Sequence, residues 1–313
     1  MTNGDIGERL VDSLHEAYGR HGGHRAAHAK GVLCAAAFTA SADAARLTTA
    51  AHLQVDAAPV RAHVRFSNGG GNPTLPDATR DARGMAVKWY LPDGTTTDVV
   101  ALSLPVFFAR TPEDLLEFNV ARRPDPAPAA PDTAKVVAYL ETHPEAVTAV
   151  TAAMGHPIPS SYASLSYYGL HTFWLVDAAG VRHAVRYVWQ PATEAASLSD
   201  DEVASADADY LASELAGRLE SEPVVFFLDA ILGEDGDPID DPTAQWPAER
   251  ATVRLGELAI TGIATDRERD GDVLVFDPTR VTPGIECSDD AILHARSAAY
   301  RVSVARRTQA AQQ

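Results

Sequence analysis

Apolar residues recur every four positions at the start of the chain. Ile6, Leu10, Leu14 and Tyr18 form one stripe, which predicts an N-terminal helix with a single buried face. Beyond residue 30 the period shortens to two. In VRAHVRFS (60–67), Val60, Ala62, Val64 and Phe66 point one way, and Arg61, His63, Arg65 and Ser67 the other, as in a strand with one apolar face. GMAVKWYL (84–91) and TTDVVALSL (96–104) predict two further strands around an Asp93-Gly94 hairpin turn. HTFWLVD and VRHAVRYVW form another pair across Ala178-Ala179-Gly180, and VVFFLDAIL and ATVRLGELAITGIAT complete the series. Helices are expected near 133–142 and 145–154, and over 199–220 from Leu211, Leu215 and Leu219. A last helix should follow Ser288-Asp289-Asp290, where acid in the first turn suits the helix dipole. Seven or eight strands, mostly hairpin-joined, with helices between them predict an α+β chain built on an antiparallel sheet or barrel. The proline-rich run RPDPAPAAPD (123–132) reads as a connector. It is short and interrupts the strand series, so residues 1–313 are expected to form a single domain.

Composition narrows the function. Of 313 residues, 46% are hydrophobic and 22% charged, ample for a large core. A net charge of −17 disfavours nucleic acid as a partner, since binding a phosphate backbone needs clustered Lys and Arg. Cys34 and Cys287 make no disulfide framework, and a reducing, cytoplasmic location is expected. No apolar run reaches the length of a membrane span, and the N-terminus has no signal-like core, so no membrane association is expected.

Candidate chemistry lies in a few places. His28 stands in HRAAHAKGVL (24–33), at the lip of an apolar strand, and by itself is either a hydrogen-bonded structural histidine or a functional one. Arg65 and Ser67 share the polar side of their strand, which is either a solvated face or the wall of a cavity. In ILHARSAAYRVSVARR, Ile292, Arg296 and Tyr300 are spaced i, i+4, i+8, and Arg307 shares that face if the helix continues. An Arg–Tyr pair one turn apart is commonly a packing pair. Its sharper use is to stabilise a phenolate, because a phenol ionises only near pH ~10 without nearby cations. SNGGGNP (67–73) lacks the lysine and helix of a phosphate loop and reads as a flexible turn, and no GxSxG, Walker or HExxH motif occurs.

Taken in order, these segments resemble the haem catalase family, specifically its short, minimal, catalase-related peroxidase type. RAAHAKG (25–31) is similar to the segment with the family's distal histidine. VRFSNGGGNPTLPDATRDARGMAVKWY (64–90) resembles the strand pair that follows it. PVFFART (105–111), YYGLHTFWLVDAAG (167–180) and FDPTRVTPGIECSDDAILHARSAAY (276–300) match in sequence and order, the last ending in the family's R-x-x-x-Y motif. The resemblance implies an antiparallel eight-stranded β-barrel with inserted helices around a buried haem b. It implies Tyr300 as the iron ligand, tyrosine being the haem ligand of catalases, with Arg296 keeping it deprotonated. It further implies His28 as the base above the opposite haem face, oriented by Ser67. Arg25, Arg65 and Arg307 would pair with the haem propionates, and Phe107 would pack on the porphyrin.

Departures from the family pattern shape the expected activity. Leu102-Ser103-Leu104-Pro105 stands where the family has Asn-Asn-Thr-Pro, so the amide that orients peroxide is missing. One such lost hydrogen bond costs roughly 1–3 kcal/mol. Gly69 replaces the usual valine of the access route while Asp81 is kept, which predicts a wider entrance. The sequence ends thirteen residues after Tyr300, so NADPH is not expected, and of the family's oligomers a dimer is. The expected function is a haem peroxidase that reduces hydrogen peroxide or organic hydroperoxides with an external small-molecule electron donor, with weak or no catalase activity. The alternatives are a lipid-hydroperoxide isomerase or dehydratase, a true catalase, and a haem-binding carrier or sensor.

Overall fold

Eight of the strands close into a ring. The computed structural model describes residues 5–55, 58–123, 133–264 and 273–310. Its strands are β1 (Gly31–Ala40), β2 (Val60–Asn68), β3 (Arg83–Tyr90), β4 (Thr96–Leu102), β5 (Tyr167–Val176), β6 (Arg182–Pro191), β7 (Val224–Leu232), β8 (Thr252–Ile263) and β9 (Ile285–Cys287). They pair antiparallel in the order β4-β3-β2-β1-β8-β7-β6-β5. Leu102 of β4 meets Tyr168 of β5, which completes an eight-stranded barrel. The three-residue β9 adds to β5.

Inward-pointing side chains fill the lumen, as in other barrels of this size. Val64 and Phe66 of β2, Val87 and Trp89 of β3 and Phe226 and Leu228 of β7 belong to one buried cluster. At its centre Trp89 and Trp189 stack with ring centroids 6.0 Å apart, and Phe38 meets Trp89 edge-on.

The helices are α1 (Ile6–Tyr18), α2 (Pro112–Ala121), α3 (Thr133–Thr142), α4 (Val147–Gly155), α5 (Asp200–Ser205), α6 (Tyr210–Leu219) and α7 (Ala291–Ala310). The predicted stripe of α1 packs as expected: Ile6, Leu10 and Leu14 join a cluster with Ala295 and Ala299 of α7 and Leu115 of α2. The two helices meet closely because Gly7 has no side chain; a Cβ there would lie 2.7 Å from the carbonyl carbon of Ala298. Asp290 caps α7, its Oδ1 accepting the N–H groups of Ile292 (2.8 Å) and Leu293 (3.3 Å).

Three elements differ from expectation. Helix α2 was not expected; Thr111 and Asp114 form a reciprocal capping box at its start, with Pro112 in the first turn. The helix expected over 199–220 is two helices, α5 and α6. The chain between them is drawn out because the Ala208 carbonyl accepts from Lys30 Nζ and the Asp77 N–H, while Asp77 Oδ2 accepts from Leu211 N–H inside α6. SNGGGNP is no flexible turn. Its Gly69 and Gly70 carbonyls accept the N–H groups of His28 and Ala29 at 3.0 Å each, and a Cβ on Gly71 would run into the Ala26 carbonyl. Within the connector predicted over 123–132, residues 124–132 lie outside the described residues. Among the described residues no helix is long and apolar enough to cross a membrane.

Candidate active site

The two sides of β2 face different environments. Val60, Ala62, Val64 and Phe66 enter the lumen, whereas on the other side Arg61 is exposed and Arg65 and Ser67 are buried. That second side, with Gly84 and Ala86 of β3 and Val100 and Leu102 of β4, forms the floor of a cavity. Val11 and Leu14 of α1 and Tyr300, Ser303 and Arg307 of α7 form the remaining wall with Arg25, His28 and Phe276. The polar face of β2 is therefore a cavity wall at Arg65 and Ser67 and a solvated face at Arg61.

His28 enters from the loop before β1. Its Nδ1 lies 3.0 Å from Ser67 Oγ. Gly84 makes room for this contact, since a Cβ there would sit 2.9 Å from His28 Nδ1 and 2.8 Å from Ser67 Oγ. The ring is half-buried because it opens on the cavity. Desolvation, followed by the charges of Arg65, Arg296 and Arg25, lowers the His28 pKa to about 3.

On the wall made by α7 a buried chain of hydrogen bonds converges on Tyr300. The phenol oxygen accepts from Arg296 Nη2 at 2.8 Å and Nε at 3.2 Å. Arg296 Nη1 contacts His171 Nε2 at 2.8 Å. A guanidinium only donates, so Nε2 is the acceptor and Nδ1 carries the proton, donating to Asp290 Oδ2 at 2.6 Å. His171 and Asp290 are fully buried, and burial, the largest influence, holds the His171 pKa below its usual value. Asp290 thus serves both the helix terminus and the histidine.

Three guanidiniums complete the site. Arg25 and Arg307 both donate to the carbonyl of Leu274, at 3.0 and 3.3 Å. Arg65 donates to the carbonyls of His28 (2.9 Å) and Ala29 (3.2 Å). These cations suit an acidic cofactor, and the Tyr300 phenol is a metal-binding group with a built-in counter-charge. No cluster of three or more His, Cys, Asp or Glu suited to a metal exists among the described residues.

The profile of the catalase family matches residues 9–313. This chain belongs to the catalase family. It is 40% identical to a catalase-related peroxidase of Mycolicibacterium paratuberculosis over 98% of this chain and 96% of that protein. Identity to a catalase-related peroxidase of Synechococcus elongatus is 32%, over 96% of this chain and 88% of the relative. Catalase A of Emericella nidulans is 31% identical over 88% of this chain, a match that spans 39% of that protein.

Within this catalase-family chain the structure brings His28, Ser67, Arg25, Arg65, Tyr300 and Arg307 onto one cavity, with Arg296 directly behind Tyr300. Phe107 is elsewhere. It stacks on Phe108 with centroids 4.3 Å apart, in a cluster with Leu102 and Ile292, one layer behind the wall. Gly69 and Asp81 also lie off the wall. The space beside Gly69 is taken by the Asp81 carboxylate, which a Cβ would approach to 2.7 Å. His171 and Asp290 were not singled out as site residues. The available signal was a histidine in the apolar strand YYGLHTFWLV, where β5 loses its pairing with β6 between Gly169 and Phe173.

Proposed function

We propose that the cavity holds a haem b ligated through Tyr300, and that the chain is a peroxidase reducing hydrogen peroxide or organic hydroperoxides with electrons from an external donor. An oxidoreductase acting on peroxide is what catalase-family membership and the two catalase-related peroxidase relatives support. The observation that carries the finer reading is the presence on one cavity of an imidazole held neutral and a phenol held by a guanidinium. The donor set fits the group: one phenol for the metal, three guanidiniums for two propionates, and apolar walls at Val11, Leu14, Val100 and Leu102.

Bound there, a haem supplies the redox-active iron and a macrocycle that stores oxidising equivalents. Each protein group then has one task. Arg296 stabilises negative charge on the Tyr300 oxygen through two charge-assisted hydrogen bonds. His171, its proton fixed at Nδ1 by Asp290, keeps the remaining Arg296 prong from turning away. Arg25, Arg65 and Arg307 neutralise the buried carboxylates. With Ser67 Oγ accepting from Nδ1–H, His28 Nε2 is free to take the hydroperoxide proton and return it to the departing oxygen. The sum is ROOH + 2e⁻ + 2H⁺ → ROH + H₂O. Leu102 supplies no amide to hold a second peroxide, which favours electrons from a donor over disproportionation.

In this reading the whole chain is one haem-binding unit, because α1 and α7 both wall the cavity. It acts as a homodimer, as catalase-family proteins are commonly oligomeric, and in the reducing cytoplasm, where its free Cys34 and Cys287 remain thiols. Purified protein given peroxide and a chromogenic donor is expected to oxidise the donor while evolving little oxygen. Vigorous oxygen evolution without donor oxidation would identify a true catalase instead.

A further inference from the structure

His28 has φ +55°, and no other non-glycine residue among those described has a positive φ. A non-glycine residue in this left-handed region is uncommon, although histidine enters it more readily than most, and the conformation still costs energy that the surroundings must offset. Here the backbone is held on both sides. The N–H groups of residues 28 and 29 reach the Gly69 and Gly70 carbonyls at 3.0 Å. The carbonyls of the same two residues accept from the two prongs of Arg65, at 2.9 and 3.2 Å. Arg65 is itself fixed, since it lies mid-strand in β2, paired with Leu33 of β1 and Ala86 of β3. Its route to the loop passes over Gly31, where a Cβ would lie 3.0 Å from its Cζ.

We propose that Arg65 is a positioning residue for His28: its guanidinium grips the carbonyls of residues 28 and 29 and holds the left-handed backbone that aims the imidazole into the cavity. The role rests on the reading of His28 as the base and is separate from any pairing of Arg65 with a cofactor carboxylate. Arg25 and Arg307, by contrast, donate to Leu274, away from the histidine. A fork is needed, because two carbonyls on consecutive residues are spanned by two N–H groups of one planar group; a lysine ammonium keeps the charge but not the span.

The test is hydrogen exchange on the purified full chain with its cofactor, comparing Arg65→Lys with the parent. Arg65→Gln is carried alongside in case the lysine variant accumulates poorly. The amides of His28 and Ala29 are expected to exchange at least tenfold faster, with barrel amides such as Phe66 and Val87 unchanged, and kcat is expected to fall at least tenfold with KM within threefold. Unchanged exchange at residues 28 and 29 would overturn the proposal. So would acceleration spread evenly over the barrel, which would make Arg65 a general core residue. A cofactor titration followed by absorbance separates the two claims: failure to bind haem would remove the proposed function, whereas the exchange result would still decide the clamp.

Discussion

His28 and Tyr300 face one cavity but are held by opposite means. His28 is deprived of charge by burial and by three arginines, down to a pKa of about 3, which favours the neutral imidazole that the proposed base requires. Tyr300 is given a cation as a direct donor. Replacing the phenol by Tyr300→Phe removes, among the described residues, the only group on the α7 wall able to carry a ligating anion. The expected outcome is loss of tight haem retention and of donor oxidation by more than tenfold, followed by the absorption spectrum through gel filtration. At position 28 the backbone makes a second, separable prediction. Both His28→Ala and His28→Gly remove the proposed base, a group of the kind that typically contributes roughly 10²–10⁴ in rate. Glycine adopts a positive φ without penalty whereas alanine does not, so the glycine variant should be the more stable of the two by about 1 kcal/mol in chemical denaturation. This reverses the order seen in ordinary loops, where alanine is favoured through the unfolded chain; an alanine variant as stable as the glycine one would mean that the left-handed turn is not enforced.

Among the elements, α1 matters most to the site, because one face packs on α7 while Val11 and Leu14 close the cavity. Gly7 sets that contact. Gly7→Val would place side-chain carbon within 2.7 Å of the Ala298 backbone, and overpacking of this kind costs about 1–3 kcal/mol. The expected result is a lower denaturation midpoint with faster loss of haem to a scavenger protein; an unchanged loss rate would show that α1 does not retain the cofactor. The helix was readable in the sequence because its one apolar stripe meets one partner. Helix α2 was not: Leu115, Leu116, Phe118 and Ala121 are spread around it, since it packs on both α1 and α3. Only the Thr111–Asp114 capping box marked it. Strand β9 has three residues, too few to show a period, and the break between α5 and α6 is imposed by Asp77 and Lys30 from far along the chain. What depended on local periodicity was legible, and what depended on distant partners was not.

The same division runs through the whole molecule. An antiparallel sheet or barrel followed from alternating strands, and the closed barrel only from the family resemblance: closure rests on Leu102 meeting Tyr168, and the His171–Asp290 pair spans 119 residues. His52, in the barrel lumen, went unremarked in the sequence for the same reason, and it makes the stability of the fold depend on pH. Its ring lies 4.9 Å from that of Trp89, only 3% of its surface is exposed, and its Nδ1 has no hydrogen-bond partner. Desolvation alone lowers its pKa from 6.5 to about 4. Between those two values the unfolded chain holds a proton on His52 that the native chain refuses, so stability falls as pH falls. The contribution is fully present above pH 6.5 and has been lost once pH passes the native value of about 4. A shift of this size corresponds to roughly 3 kcal/mol. His52→Phe keeps an aromatic ring against Trp89 and leaves nothing to protonate. Chemical denaturation at pH 7 and pH 4 should therefore show the parent losing about 3 kcal/mol more than the variant, and subtracting the two cancels the carboxylates that titrate in the same window. Equal losses in the two proteins would show that the lumen admits the proton freely.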